Sequence, residues 1–314
     1  MDISILISTR NNARRLKETL LHISRCRIPR GILWEVVVVN HNSQDHTEQV
    51  AREMQMVLPL KYAVETREGQ GHARNSTLST SSGDLLILTD DDVKPDPGWM
   101  EAYWAAYLAN PTGRFWGGPI ESEFEDGEPN WELVRLGPTS IKGLDLGGSE
   151  RNLKKNDILL TGANWACPSI PLKGAGGFDS ELGLNTAVGS SEETDLMERL
   201  MKSGIEAWYL PLAKLRHIVP MSKVSLRHLG NRRRAYGRFE ARNVSRSHTR
   251  LVPLLGVPPW VVRKFLEASA AWIFARISGR SGFSEYLEAQ EMLGVADALR
   301  TARKRTERAF VQNP

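Results

Sequence analysis

Residues Leu85–Asp96 read LLILTDDDVKPD. Leu85 to Thr89 is a run of five apolar or β-branched residues, too short for a helix and closed by a turn, so it predicts a fully buried strand. The strand runs directly into Asp90, Asp91 and Asp92, with Pro95 and Pro97 just beyond. Alternate residues of an extended chain point the same way, so Asp90 and Asp92 can face one site together. Two carboxylates held that close repel unless a cation or hydrogen bonds compensate them. Hard divalent ions take oxygen ligands, and Mg²⁺ is usually held by one or two carboxylates together with substrate phosphates. The stretch therefore predicts a metal site that a phosphorylated substrate completes. Its competitor is an acidic turn at a strand end, with no ligand.

The chain before this stretch alternates strands and helices. Residues 3–8 (ISILIS) predict a first strand, and Asn12–Cys26 carries Leu16, Leu20 and Ile23 at helical spacing. Glu35–Val39 predicts a second strand ending in Asn40-His41-Asn42-Ser43, with a helix over Gln44–Met56 and Asp45 in its first turn. Leu60–Val64 fits a third strand, and Gly69-Gln70-Gly71 leads into a helix through Arg74 and Asn75. The acidic strand is fourth. Such alternation predicts an α/β fold built on an open, mostly parallel sheet flanked by helices. Ligands on these sheets bind beyond the carboxyl ends of the strands, where Thr9-Arg10, Asn40–Ser43 and Asp90–Asp92 all fall. Gly69 and Gly71 make no dinucleotide fingerprint, because the third glycine and the first-strand position are missing.

Beyond the acidic turn, Trp99–Leu108 predicts a helix, Gly117-Gly118-Pro119 a break and Glu121–Asn130 an acidic loop. Residues 137–157, rich in Gly, Ser, Asn and Lys, predict a mobile loop that could serve as a lid. Order resumes at Thr161-Gly162-Ala163-Asn164-Trp165-Ala166, followed by a Gly176-Gly177-Phe178-Asp179 turn and a loop over 180–190. Ser190–Asp195 then opens a helix through Leu196, Leu200 and Met201. Two readings of Glu193 stand side by side: a capping box with Ser190 three residues earlier, or chemistry. Asp195 has a helix-face partner in Arg199, four residues on. Ile205–Leu210 and Leu215–Ile218 predict further strands, the second holding His217, and a lone histidine is more often structural than a ligand.

The 314 residues are 41% hydrophobic and 25% charged, ordinary for a globular protein. Cys26 and Cys167 offer neither a metal-ligand spacing nor a disulfide framework, which suits a reducing, cytoplasmic setting. MDISILISTRNN has no basic region before its apolar run, so no signal peptide is expected. No uncharged apolar stretch reaches the length of about eighteen residues that a spanning helix needs. The net charge of +4 is unevenly placed, with fifteen Lys/Arg against two acids between Lys214 and Arg280. Val224–Asn243 interleaves Arg227, Arg232, Arg233, Arg234, Arg238 and Arg242 with Leu226, Leu229, Tyr236 and Phe239. After Pro258 and Pro259, Trp260–Ile277 places Val261, Phe265, Ala268 and Trp272 on one stripe, Val262, Leu266, Ile273 and Ile277 alongside, and Arg263, Lys264 and Glu267 opposite. Two readings fit this amphipathic helix: packing on the catalytic part or on a second subunit, or peripheral attachment to the anionic inner face of a membrane. Nucleic acid is not expected, since no recognisable binding module accompanies the charge.

The residues from about 2 to 240 resemble the family 2 inverting glycosyltransferases of the GT-A fold, which use nucleotide-sugar donors. The pieces that carry the resemblance are ISTRNN, VVVVNHNSQDHT, GHARN, GDLLILTDDD with PDPGWM, TGANWA, GGFD, and SEETDLMERL followed by LRH, in that order. The resemblance implies a nucleotide pocket at Thr9, Arg10, Asn40 and Asn42, with Arg74 and Asn75 near the nucleotide and diphosphate. It sets Asp90 on the ribose, Asp92 on Mn²⁺ or Mg²⁺, and Asp91 behind or beside them. Gly162, Ala163 and Asn164 would line the sugar and acceptor, Glu192 and Glu193 form the acidic pair whose second member is the general base, and His217 adds a metal ligand. Asp195 is the alternative base. Asn40 and His41 stand where the family often has aspartate, and Glu193 where aspartate is the commoner base.

The implied organisation is a catalytic domain over 1–222, with a nucleotide-binding half to about 96 and an acceptor half over 97–222. A basic helical extension covers 223–314. The expected reaction moves a sugar from a nucleotide-diphosphate donor to a hydroxyl of a glycan or lipid-linked acceptor. A nucleotidyltransferase is the rival enzyme, but it wants a glycine-rich phosphate loop after the first strand, and STRNNARR has no glycine. A non-catalytic carbohydrate-binding relative is the other alternative.

Overall fold

The first strand, β1 (Ile3–Thr9), is buried along almost its whole length, as a strand must be when helices cover both faces of its sheet. The computed structural model describes residues 1–154, 160, 162–247 and 257–312. After β1 come α1 (Ala13–Ile23), β2 (Trp34–Asn40), α2 (Thr47–Met54), β3 (Leu60–Val64), α3 (Gln70–Thr80) and β4 (Leu85–Thr89). Then follow β5 (Val93–Pro95), α4 (Trp99–Ala109), β6 (Arg114–Gly117), β7 (Ile120–Glu125), α5 (Trp131–Leu136), α6 (Thr139–Lys142), β8 (Arg151–Leu153), β9 (Asn164–Pro168) and α7 (Ser169–Gly174). The chain continues through α8 (Glu192–Lys202), β10 (Glu206–Tyr209), β11 (Leu215–Pro220), α9 (Leu226–Ser247), α10 (Pro259–Ile277) and α11 (Phe283–Gln312).

Eight strands form one sheet in the order β3-β2-β1-β4-β9-β6-β10-β8. The β1, β2, β3 and β4 ladders are parallel, whereas β9 runs antiparallel between β4 and β6. A second sheet, β5-β11-β7, is small but sets the site: β11 pairs antiparallel with β5, bringing His217 opposite Val93. The carboxyl ends of β1, β2 and β4 lie side by side, since Thr9 pairs with Asn40 and Ile7 with Thr89.

Two sequence expectations are corrected. Glu121–Asn130 is not a loop throughout, because Ile120–Glu125 is a strand parallel to β11. Its acidity hid it: Glu123 pairs with Lys94 and Arg216, and Glu125 with Arg14 and Arg15. Residues 137–157 are not one loop either, since they contain α6 and β8, with β8 held antiparallel on β10; 155–157 lie outside the described residues, as does Thr161.

Glu35 on β2 shows how a charge is kept inside this sheet. Only 2% exposed, it accepts from the Ser4 hydroxyl and from the Ser82 backbone and hydroxyl, and pairs with Lys61 at 2.6 Å. Burial alone would raise its pKa, but these partners outweigh it and hold the carboxyl at about 2, below the ordinary 4.5. A depressed pKa means stability present above pH 4.5 and lost as pH falls toward 2. Glu35→Gln is expected to cost about 1–3 kcal/mol at pH 7. In denaturant titrations its deficit against the parent should shrink as pH drops below about 4.5, and a deficit independent of pH would remove the ionic explanation.

Contacts divide the chain into two compact units: residues 1–128, 137–185 and 192–221 form the first, and 129–136, 186–191 and 222–314 the second. In the second unit α9 and α11 approach closely through reciprocal glycines. A Cβ at Gly237 would strike the Glu291 carbonyl, and one at Gly294 the Arg234 carbonyl. Val261 of α10 is buried in a cluster with Met292, Val295 and Ala296 of α11, and Phe265 packs against it. Trp272 lies 5.5 Å from the Tyr286 ring. The stripe Val261, Phe265, Ala268 and Trp272 thus faces inward, toward α11 of the same extension, a partner that the sequence reading does not name.

Candidate active site

The strand-end carboxylates are gathered by the small sheet. The Asp92 carbonyl accepts from the Ile218 N–H at 2.8 Å, which sets β11 against the turn and brings His217 Nε2 to 3.1 Å from Asp92 Oδ1. Asp90, Asp92 and His217 each offer a ligand atom, all within 4.8 Å of one another. Asp92 and His217 are buried. His217 Nδ1 is also buried and has no hydrogen-bond partner among the described residues. Two carboxylates and an imidazole suit a divalent ion with borderline preferences; Mn²⁺ accepts such a mixed set more readily than Mg²⁺, which favours oxygen. The residues therefore fit a divalent ion of the kind that the resemblance implies.

Asp91 turns elsewhere. Its carboxyl accepts from the Thr9 hydroxyl and from Asn12 Nδ2 at 2.7 Å. Burial, and next the nearby Asp92 charge, push its pKa up to about 7. Asn12 stands just before α1 and also accepts from Arg15. Asp91 thus ties the β1–α1 loop to the turn that carries Asp90 and Asp92. Thr9, 2% exposed, is spent on this tie.

Arg74, on α3, is the hub of the remaining charges. Its guanidinium lies 3.5 Å from Asp90, 2.9 Å from Glu192 and in direct contact with Glu193, over the face of Phe178 at 5.5 Å. Glu192 is buried, while Glu193 is partly open. Glu193 Oε2 also accepts from the Gly162 N–H at 3.0 Å. A Cβ at Gly162 would run into the Glu193 carboxylate, so glycine is what admits this pairing. Helix α8 starts at Glu192, so Glu193 is one residue short of the capping-box position. Its carboxylate is engaged with Arg74 and Gly162 instead.

The glycosyl transferase family 2 model matches residues 4–161, half of the chain. The chain belongs to that family. Among relatives of this glycosyltransferase-family chain, the pre-mycofactocin glycosyltransferase of Mycobacterium tuberculosis is 26% identical over 89% of the chain and 57% of its own length. The chain thus spans little more than half the length of that relative. A dolichol-phosphate mannosyltransferase of Pyrococcus furiosus is 31% identical over 31% of the chain and 27% of its own length. Among solved structures, a Pyrobaculum calidifontis mannosyltransferase in complex with GDP-Man and Mn²⁺ superimposes with a TM-score of 0.59 at 19% identity, covering 96% of this chain and 87% of that one. Staphylococcus aureus TarS in complex with UDP-GlcNAc gives 0.57 at 17% identity, covering 97% and 92%. These likenesses show the GT-A fold.

Within this family 2 chain, several expected site residues are committed to the scaffold. Asn164 is 1% exposed. Its Oδ1 accepts from Trp99 Nε1 and the Tyr103 hydroxyl, and its Nδ2 donates to the Pro119 and Ala213 carbonyls. With all four bonds made, its side-chain amide braces the scaffold. Asn164→Ala would take the partner from Trp99 Nε1, the Tyr103 hydroxyl and the Ala213 carbonyl, while the Pro119 carbonyl keeps the Leu215 N–H, and is expected to cost about 3–5 kcal/mol. A fully stable variant that bound its substrate weakly would restore the binding role. Asn75 is likewise bound twice to the Phe178 backbone, at 2.8 Å each way, and holds the Gly-Gly turn on α3. Asn40 accepts from Ser43 N and donates to the Tyr62 hydroxyl. Asn42, with φ +54°, is exposed. Arg10 pairs with Glu68 at 2.9 Å, and Asp195 with Arg199 at 2.8 Å, the helix-face pair that its spacing predicts. Asn12 and Phe178 enter the sequence reading within the ISTRNN and GGFD pieces, with no role of their own. Their only signals were local, a helix-start position and the residue after Gly-Gly.

Proposed function

We propose that this protein is a metal-dependent inverting glycosyltransferase that moves a sugar from a nucleotide-diphosphate donor to an acceptor hydroxyl. The observation that carries this reading is Arg74, whose one guanidinium joins Asp90 of the metal cluster to the Glu192/Glu193 pair. A carboxylate base and a cation-binding cluster a single side chain apart are what displacement at an anomeric carbon requires on opposite sides of the reacting bond. Asp90, Asp92 and His217 would hold Mn²⁺ or Mg²⁺, which when bound neutralises charge on the departing nucleoside diphosphate.

Glu193 takes the proton of the acceptor hydroxyl. Its carboxylate is oriented by Gly162 N–H and Arg74 while remaining partly open, whereas the buried Glu192 anchors the guanidinium. No covalent enzyme intermediate is needed, so the displacement inverts the anomeric centre. The nucleotide-binding half ends near residue 96 and the acceptor half near 222. The acceptor is a glycan or lipid-linked hydroxyl, a class in keeping with the name of the dolichol-phosphate mannosyltransferase relative. A panel of nucleoside diphosphates should raise the melting temperature only together with Mn²⁺ or Mg²⁺. A panel without any metal-dependent shift would count against the reading.

A further inference from the structure

Helix α10 is apolar on two opposite faces. One, centred on Val261, Ala268 and Ala275, is buried within the second unit. The other carries Leu266, Ile273, Phe274 and Ile277, which are 53–80% exposed. At 100° per residue these four fall within about a third of the helix circumference, directly across from the buried face. Contiguous exposed apolar surface of this kind marks an interaction site. No described helix is long and apolar enough to cross a membrane, so the face is suited to lie on a surface.

Charge decides what that surface is. Arg263 lies within this arc and pairs with Glu267, the only acid on the helix, at its edge, while Arg276 flanks the other side and Arg280 reaches over Phe274. Residues 222–314 as a whole carry eighteen Lys/Arg against seven Asp/Glu. Two copies brought together through such a region would repel, whereas an anionic surface attracts it and receives the apolar side chains. We infer that the Leu266/Ile273/Phe274/Ile277 face of α10 docks on an anionic lipid bilayer, the apolar residues inserting at the interface and Arg263, Arg276 and Arg280 meeting the headgroups. This goes beyond the proposed reaction and holds independently of it.

Sedimentation of the full chain with phosphatidylcholine vesicles, with and without phosphatidylglycerol, tests it. Binding is expected to vesicles containing phosphatidylglycerol, to weaken with salt, and to fall by about tenfold or more in Ile273→Ser/Phe274→Ser/Ile277→Ser. These side chains are exposed, so circular dichroism and melting should match the parent. Arg276→Gln/Arg280→Gln should lose the preference for anionic vesicles while keeping the fold. Unchanged vesicle binding by the serine variant would overturn the assignment. So would failure of the parent to bind at low salt, or a concentration-dependent dimer that the serine variant abolishes, which would give the face to a second copy. Failure of nucleotide binding in the same preparation would bear on the proposed reaction alone.

Discussion

Glu193→Gln is expected to lower turnover by roughly 10²–10⁴-fold, the range a positioned general base contributes. The substitution keeps the side chain's length and one carbonyl oxygen, so the contact with Arg74 or that with the Gly162 N–H survives, but not both as they stand. What is lost is the ability to take a proton. Nucleotide affinity measured by calorimetry should change little, because Glu192 and Asp90 still hold Arg74. The loss should therefore appear in kcat, with KM for the sugar donor nearly unchanged. Asp195→Asn is the control: its carboxylate is paired with Arg199, and its removal should leave turnover within a few-fold of the parent. A Glu193→Gln protein that melts early but turns over normally once folded would assign Glu193 to structure. The reverse pattern in the two variants would hand the proton to Asp195.

What could be read in the chain before its fold was known divides along a physical line. Asp90 and Asp92 share a face because of strand geometry, which is local, and the buried runs of β1, β2 and β4 needed only their composition. His217 was reachable only through the family resemblance, since its approach to Asp92 depends on β11 joining β5, more than a hundred residues away in sequence. Asn164 looked like a ligand-facing polar residue, and only the convergence of Trp99, Tyr103, Pro119 and Ala213 reveals an internal brace. Nothing in a linear pattern distinguishes an amide that meets a sugar from one that meets four backbone and side-chain partners. Ile120–Glu125 failed for the opposite reason: its glutamates suggested solvent, but arginines and a lysine from other elements neutralise them. Helix α10 presented two apolar rows, and periodicity alone could not say which one the protein buries.

Asp92→Asn is expected to weaken metal-dependent nucleotide binding by about a hundredfold or more and to abolish transfer. Of the two carboxylates in the cluster Asp92 is the more constrained: it is 5% exposed, its carbonyl is tied to Ile218, and its carboxylate meets His217. Asparagine preserves that shape but removes the charge that attracts the cation. Because two neighbouring carboxylates repel, the metal-free variant should melt within a few degrees of the parent. His217→Gln separates two roles for the imidazole. If His217 is a ligand, its loss should narrow the advantage of Mn²⁺ over Mg²⁺, since an oxygen replaces the nitrogen. If it only orients Asp92, both metals should weaken in parallel. Calorimetric titrations of a nucleoside diphosphate with each metal, on parent and both variants, read these outcomes without requiring the acceptor. An Asp92→Asn protein with undiminished Mn²⁺-dependent nucleotide affinity would remove Asp92 from the metal site and leave the acidic strand end a turn stabilised by hydrogen bonds alone.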